Sequence, residues 1–248
     1  MQRRCLLTLA ALAPWVGARA QAAFPARGLR IVVPFAAGGV GDLTARIVAG
    51  KLAERLGQAV VIENRPGAGG VVAADSVARA EPDGHTLFLM SNGTAVTAGL
   101  FKSLPFDTLR DFAPISTLGF FDIAVVAHPE APFKSFAELL AYARANPGKL
   151  NIGSINIGST QNLAAELFKS SAGIDAQVVP FNGTPNLIGA LRGRQVDVGV
   201  EILAPVLAQI RGGALRALAV AGDRRSLVLP DVPTAAESGV PGFVASSW

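Results

Sequence analysis

From Leu29 onward the chain alternates short apolar runs with stretches of helical spacing. Leu29–Val33 is mostly apolar and β-branched and predicts a strand. From Asp42 to Leu56 the residues Leu43, Ile47, Val48, Leu52 and Leu56 recur on one helical face, and Gly57 ends the pattern. Val60–Glu63 predicts a second strand, "NRPGAGG" (Asn64–Gly70) a turn, and Val71–Ala80 a helix. Pro82–Gly84 turns into a strand over Thr86–Met90. Strand followed by helix, repeated, implies a parallel sheet with helices on its faces.

The same logic returns after Ile123–Ala127, another strand. Ser135 and Glu138 have the spacing of a capping box, and Pro147-Gly148 stops the helix they open. Leu150–Gly153 predicts a strand, and Ser159 caps a helix carrying Leu163, Leu167 and Phe168. Thr184 before Pro185 marks a helix start. "QVDVGVEI" and "LRALAVA" complete the set of strands. The plan is duplicated: two α/β units of about 100 residues, an ordinary domain size, each with a glycine-rich turn between strand and helix.

Residues 1–22 stand outside this pattern. Arg3 and Arg4 precede an apolar run from Cys5 to Val16, and small residues follow (Ala18-Arg19-Ala20 or Ala20-Gln21-Ala22). This predicts a secretory signal peptide of the general kind, although "RRCLL" is also similar to a twin-arginine signal. The run is too short to span a bilayer, and Cys5 has no lipobox around it. Removing 1–22 lowers lysine plus arginine from 22 to 19 against 18 acids. A nearly neutral mature chain gives no reason to expect nucleic acid. Cys5 is the single cysteine, so an oxidising compartment is entered without disulfides.

The glycine turns carry the candidate chemistry. In "VPFAAGGVGDLTARIV", Gly38, Gly39 and Gly41 let amides point inward at the start of a helix opened by Asp42. That makes an anion cradle without a cationic side chain, though a plain structural turn capped by Asp42 fits the residues as well. The third glycine of a dinucleotide fingerprint is absent at Thr44, and no Lys-Ser or Lys-Thr follows. In "GSINIGSTQN", Ser154, Ser159 and Thr160 offer hydroxyls beside free amides, or Ser159 merely caps. The Asn64–Gly70 turn could also bind an anion with Arg65 as the charge, but a structural turn with Arg65 solvated is the favoured reading.

Catalysis has little support. His85 and His128 lie far apart beside turns, which leaves a transition-metal site without ligands. No Gly-x-Ser-x-Gly elbow is present. Asp197 and Glu201 share one face of a strand about 13 Å apart, too far for a tight pair. A hydrolase using Ser91 or Ser159 would lack a placed histidine.

Longer motifs now add to these. "VPFAAGGVGDLTARIVAGKLAERLGQAVVIENRPGAGG", "EPDGHTLFLMSNG", "LFKSLPFDTLRDFAPIS", "ANPGKLNIGS" and "LPDVPTAAESGVPGFVASSW" occur in order from about Leu29 to the end. Together they resemble the Bug-type extracytoplasmic solute-binding receptors of tripartite tricarboxylate transporters. The resemblance implies a periplasmic-binding-protein (Venus flytrap) fold, with two α/β lobes joined by crossing strands and a ligand between them. It implies no enzyme activity and no cofactor. The expected partners are a small organic anion (a di- or tricarboxylate, an amino acid or an aromatic acid) and membrane transporter subunits, with the receptor itself a monomer. A sensor for a signalling system is the alternative.

Residue by residue, the resemblance places Phe35, Gly38, Gly39 and Asp42 at the ligand from the first lobe, with Ser91 and Asn92. From the second lobe it places Gly158, Ser159 and Thr160, and near the pocket Ser154, Asn182 and Glu201. This chain departs from the pattern where Ile157 takes a glycine place, Asn162 a histidine place, Asn182 a basic place and Glu201 an aspartate place. The expected domains are 1–22 signal peptide, 23–122 the first lobe, 123–220 the second, and 221–248 a return to the first. Relatives continue past Trp248, so the C-terminal part of the first lobe is expected to be missing.

Overall fold

The computed structural model describes residues 24–248, and the signal peptide reading lies outside them. Nine strands, seven α-helices and a 3-10 turn at Ala68–Gly70 are found among the described residues. In the first lobe β1 (Leu29–Val33), β2 (Val60–Asn64) and β3 (Thr86–Phe88) form a parallel sheet in the order β2-β1-β3. Three helices belong to it: α1 (Val40–Leu56), α2 (Val71–Ala78) and α3 (Asn92–Leu100).

The second lobe is larger. Its strands are β4 (Phe121–Ala127), β5 (Leu150–Ile155), β6 (Ala176–Phe181), β7 (Val198–Ile202) and β8 (Arg216–Val220), in the order β6-β5-β7-β4-β8. β5 runs parallel to β6 and β7, whereas β4 is antiparallel to β7 and β8. The period of two along β4 sorts its residues between two cores. Ile123, Val125 and Ala127 join α4 (Phe136–Ala145) and α5 (Thr160–Ala172). Ala124 and Val126 join α6 (Thr184–Arg192) and α7 (Leu203–Arg211).

The chain passes between lobes twice, side by side. Residues 101–120 lead from α3 into β4, and β9 (Ser246–Ser247) pairs antiparallel with Phe121 and Asp122 at the start of β4. The stretch expected to return to the first lobe from residue 221 stays with the second as far as Ala245. Ala235, Val240 and Phe243 are buried in its core, with Phe243 stacked on Phe168 at 5.2 Å. Ala235 N donates to Val220 O and Ala245 N to Ala221 O. Backbone hydrogen bonds to the edge of β8 and apolar contacts of Ala235, Val240 and Phe243 with the core hold this segment. Strand spacing alone did not show it.

α1 also differs from expectation. Leu43 and Ile47 are 44% and 71% exposed, while Asp42, Ala45 and Ala49 are buried. Alanine lets the helix backbone come close to the sheet, so Ala45 and Ala49, with Leu52 beside them, face it rather than Leu43 and Ile47.

Close packing makes one glycine in the second lobe essential. A Cβ at Gly153 on β5 would stand 2.5 Å from Leu187 Cδ1 and 3.0 Å from Val196 Cγ2. Gly153→Val is expected to cost about 1–3 kcal/mol through overpacking. Gly50→Ala, in an α1 position with nothing within 4 Å, should instead stabilise by up to about 1 kcal/mol. Urea midpoints of the two variants moving in opposite directions check this.

Candidate functional site

Four helices begin where parallel strands end: α1 after β1, α3 after β3, α5 after β5 and α6 after β6. The first-turn amides of each have no partner in their own helix. Their starts line one cavity of about 1270 Å3, through Gly39–Gly41, Ser91, Thr160–Gln161 and Gly183–Thr184. The charged residues lining it are Glu81, Arg110 and Asp111, all of the first lobe. From the second lobe it receives only uncharged residues, including Asn156, Gln161, Thr184 and Ile202. The cavity also runs away from the cleft along an apolar side of the first lobe, past Val48, Leu52, Phe88, Phe112 and Leu118.

The two glycine turns are built alike. Gly38 has φ +84° and its amide donates to Asp42 Oδ2 at 3.0 Å. Gly158 has φ +82° and its amide donates to Asn162 Oδ1 at 3.1 Å. In each lobe an Asx side chain four residues on closes the turn and consumes one amide of the cradle. Asp42 is therefore occupied within its own lobe: Asn64 Nδ2 donates to Oδ1 at 3.0 Å, and Arg46 pairs with the carboxylate at 2.9 Å. Burial opposes its charge, but the hydrogen bonds from Arg46, Gly38 and Asn64 outweigh it and hold the carboxyl below the usual range. Asn162 continues the pattern by donating to Ser154 Oγ at 3.2 Å, and Ser154 is fully buried.

Ser159 is the N-cap of α5, accepting from Asn162 N at 3.1 Å and donating to Ile155 O at 2.8 Å. Thr160 donates across the cleft to Asn92 Oδ1. Asn92 also receives Ser247 Oγ at 3.3 Å and donates to Ser246 O at 3.2 Å, so one side chain ties α3 to the second lobe and to β9. Phe35 lines the cavity and packs against a core of each lobe. Ser91 Oγ is buried at the cavity with no partner in the protein.

Backbone meets backbone where the lobes touch. A Cβ at Gly93 would lie 3.0 Å from Gly158 O, and one at Gly69 would lie 3.5 Å from Ile157 O. At the other end of the cleft, a Cβ at Gly183 would lie 3.0 Å from Ala36 Cβ and one at Gly39 would lie 3.4 Å from Thr184 Oγ1.

Of the expected residues Phe35, Gly39, Ser91 and Thr160 line the cavity, Gly38, Asp42, Asn92, Ser154, Gly158 and Ser159 stand beside it outside the lining, and two more sit differently. Asn182 is exposed, outside the cavity lining, and its carbonyl accepts from Asn186. Glu201 is fully buried behind the cavity wall. Its Oε1 accepts from Gln161 Nε2 at 2.6 Å and from Ile202 N at 2.7 Å. Asp197 is at the far end of the same strand, accepting from Asn151 N at 2.8 Å. Gln161, Thr184, Asn156 and Ile202 were not anticipated; their sequence signals are those of helix starts and strand ends. Among the described residues no group of three His, Cys, Asp or Glu side chains is placed to hold a metal, and no helix is long and apolar enough to cross a membrane.

A model of the tripartite tricarboxylate transporter family receptor matches residues 44–248. The chain belongs to that family. Protein BugT of Bordetella pertussis is 39% identical to this receptor over 227 residues, 91% of this chain and 70% of its own. Among solved structures, R. palustris Rpa4515 with adipate is 34% identical with a TM-score of 0.87, over 91% of this chain and 76% of that one. MatC from Rhodopseudomonas palustris with bound malate is 37% identical with a TM-score of 0.84, over 91% and 77%. The receptor thus has the two-lobed α/β periplasmic-binding-protein fold, and its family and structural neighbours are solute-binding receptors rather than enzymes.

Burial pushes the Glu201 carboxyl up to about 7, partly offset by the hydrogen bonds from Gln161 and Ile202. Thr184 stands close enough to favour the charge slightly, although neither its Oγ1 nor Glu201 Oε2 reaches hydrogen-bond geometry. Because the folded protein holds this proton more tightly than the unfolded chain, the contribution is full below pH 4.5 and fades as pH rises through about 7. The loss is on the order of 3 kcal/mol. Glu201→Gln should flatten stability over that window, as read from urea midpoints between pH 4.5 and 8 compared with the parent chain.

Proposed function

We propose that this receptor holds a small organic carboxylate in the interlobe cleft and presents it to the membrane subunits of a tripartite tricarboxylate-type transporter. The carrying observation is the convergence of four helix starts on a cavity whose second-lobe wall is uncharged. Such amides favour an anion by their dipoles. In a closed, water-poor cleft they act in a low dielectric. Adipate and malate in the related structures are of this ligand class. In this reading Ser91 and the first-turn amides of α1 and α5 meet the carboxylate. Phe35 forms an apolar wall, and Asn92 fastens the lobes over it. Arg3, Arg4 and the apolar run behind them direct the chain to the periplasm, where it works as a monomer.

A thermal-shift screen of small carboxylic acids on the full chain tests this. A bound acid at about 100 times its Kd adds about 2.7 kcal/mol, and its primary amide should add nothing. A panel in which no carboxylate raises Tm would overturn the reading. Gly93→Val should prop the lobes apart at Gly158 and weaken the best ligand at least about tenfold (about 1.4 kcal/mol). Tm of the ligand-free chain should hardly change, and calorimetric titration reads the affinity.

A further inference from the structure

Within the carboxylate reading, the second-lobe wall has a polarity of its own. Glu201 Oε1 accepts from the Ile202 backbone amide at 2.7 Å, and a backbone N–H can only donate. That fixes Oε1 as an acceptor. Gln161, 2.6 Å from the same oxygen, must therefore turn its NH2 group inward to Glu201. Gln161 lines the cavity, and beside the second N–H of that amide the group it has left to offer there is its carbonyl oxygen. Among the described residues no donor is bonded to that oxygen. Beside it Thr184 also lines the cavity, and its hydroxyl has no partner in the protein. Behind both, Glu201 Oε2 is buried and unpaired. A buried acceptor without a donor, as Glu201 Oε2 is, costs free energy until something supplies one.

We infer that this wall recognises a hydrogen-bond donor on the ligand, so that the preferred acid carries a hydroxyl or an ammonium at the end facing Gln161 and Thr184 rather than a second carboxylate. A second carboxylate there would bring acceptors to an amide carbonyl, with an acid directly behind it. No lysine or arginine lines that wall to offset the repulsion. Burial keeps Glu201 close to its titration point near neutrality. A neutral hydroxyl can thus be met with Glu201 protonated, and an ammonium with Glu201 ionised. Gln161 is a specificity-determining residue, and Glu201 is a positioning residue that acts through it.

Calorimetric titration of the full chain with matched acids of three to six carbons tests this. At each length the dicarboxylate, the ω-hydroxy acid and the ω-amino acid are compared. A donor-bearing acid is expected to bind at least about tenfold tighter than the dicarboxylate of equal length. Tighter binding of the hydroxy acid identifies a neutral donor, and tighter binding of the amino acid identifies an ammonium countered by Glu201. Gln161→Leu should bring the ratio close to one. Glu201→Gln keeps a carbonyl opposite the Ile202 amide, so it should leave the advantage of the hydroxy acid and remove any advantage of the amino acid, and Gln161→Met serves if Gln161→Leu does not fold. Dicarboxylates binding as tightly as the donor acids, or a ratio unmoved in the folded Gln161 variants, would overturn the inference and leave the carboxylate reading standing. Failure of every acid in the panel to bind would instead overturn the carboxylate reading and this inference with it.

Discussion

Main-chain amides left over at the starts of helices are the constraint around which the rest of this molecule is arranged. A helix that follows a parallel strand must begin at that strand's carboxyl end. Two sheets facing one another across a cleft therefore aim several helix starts at the same space. The glycines at Gly38 and Gly158, both at positive φ, let each turn bring its amides round. Asp42 and Asn162 then close the turns from inside. In the first lobe the side chain of Asp42 consumes one amide, and in the second Asn162 and Ser159 consume two, while the residues at the helix starts line the cleft.

The two lobes contribute unequally to this arrangement. The second has a complete three-layer build, with separate cores on the two faces of its sheet. It also keeps Ala221–Ala245 as cover, leaving Ser246–Ser247 to run back beside the start of β4. The first lobe buries a small cluster of Ile31, Val33, Ala45 and Ala49. Its sheet is joined to the second lobe's side mainly through Phe35, Asn92 and the glycine contacts. The second lobe's wall of the cleft thus rests on two core clusters, and the first lobe's on one small one.

Much of this was legible in the residue pattern. The strands at Leu29–Val33 and Ile123–Ala127, the helix after Gly39, the capping box at Ser135 and the cap at Ser159 all follow from local chemistry. The structure forms each of them. What escaped was non-local. α7 begins at Leu203 with no side-chain cap, so nothing short-range announces it. α3 starts in small polar residues with no apolar stripe. The exposed Ile47 and the buried alanines of α1 reverse its apparent face, because closeness to the sheet is a property of the fold and not of the helix. At the site, Asp42 and Asn162 can be read from their spacing to the preceding glycines. The roles of Gln161 and Thr184 depend on Glu201, forty residues beyond Gln161 and reached only through the sheet.

The meeting of glycine with main chain at Gly93 and Gly158, and again at Gly69 and Ile157, gives the clasp a further property. Jaws that shut on bare peptide groups do not depend on which side chains furnish the chamber between them. The interior can be refitted for a new metabolite by changing residues such as Gln161 or Ile202 while the bite stays the same. A family assembled this way can diversify its cargo faster than its hinge.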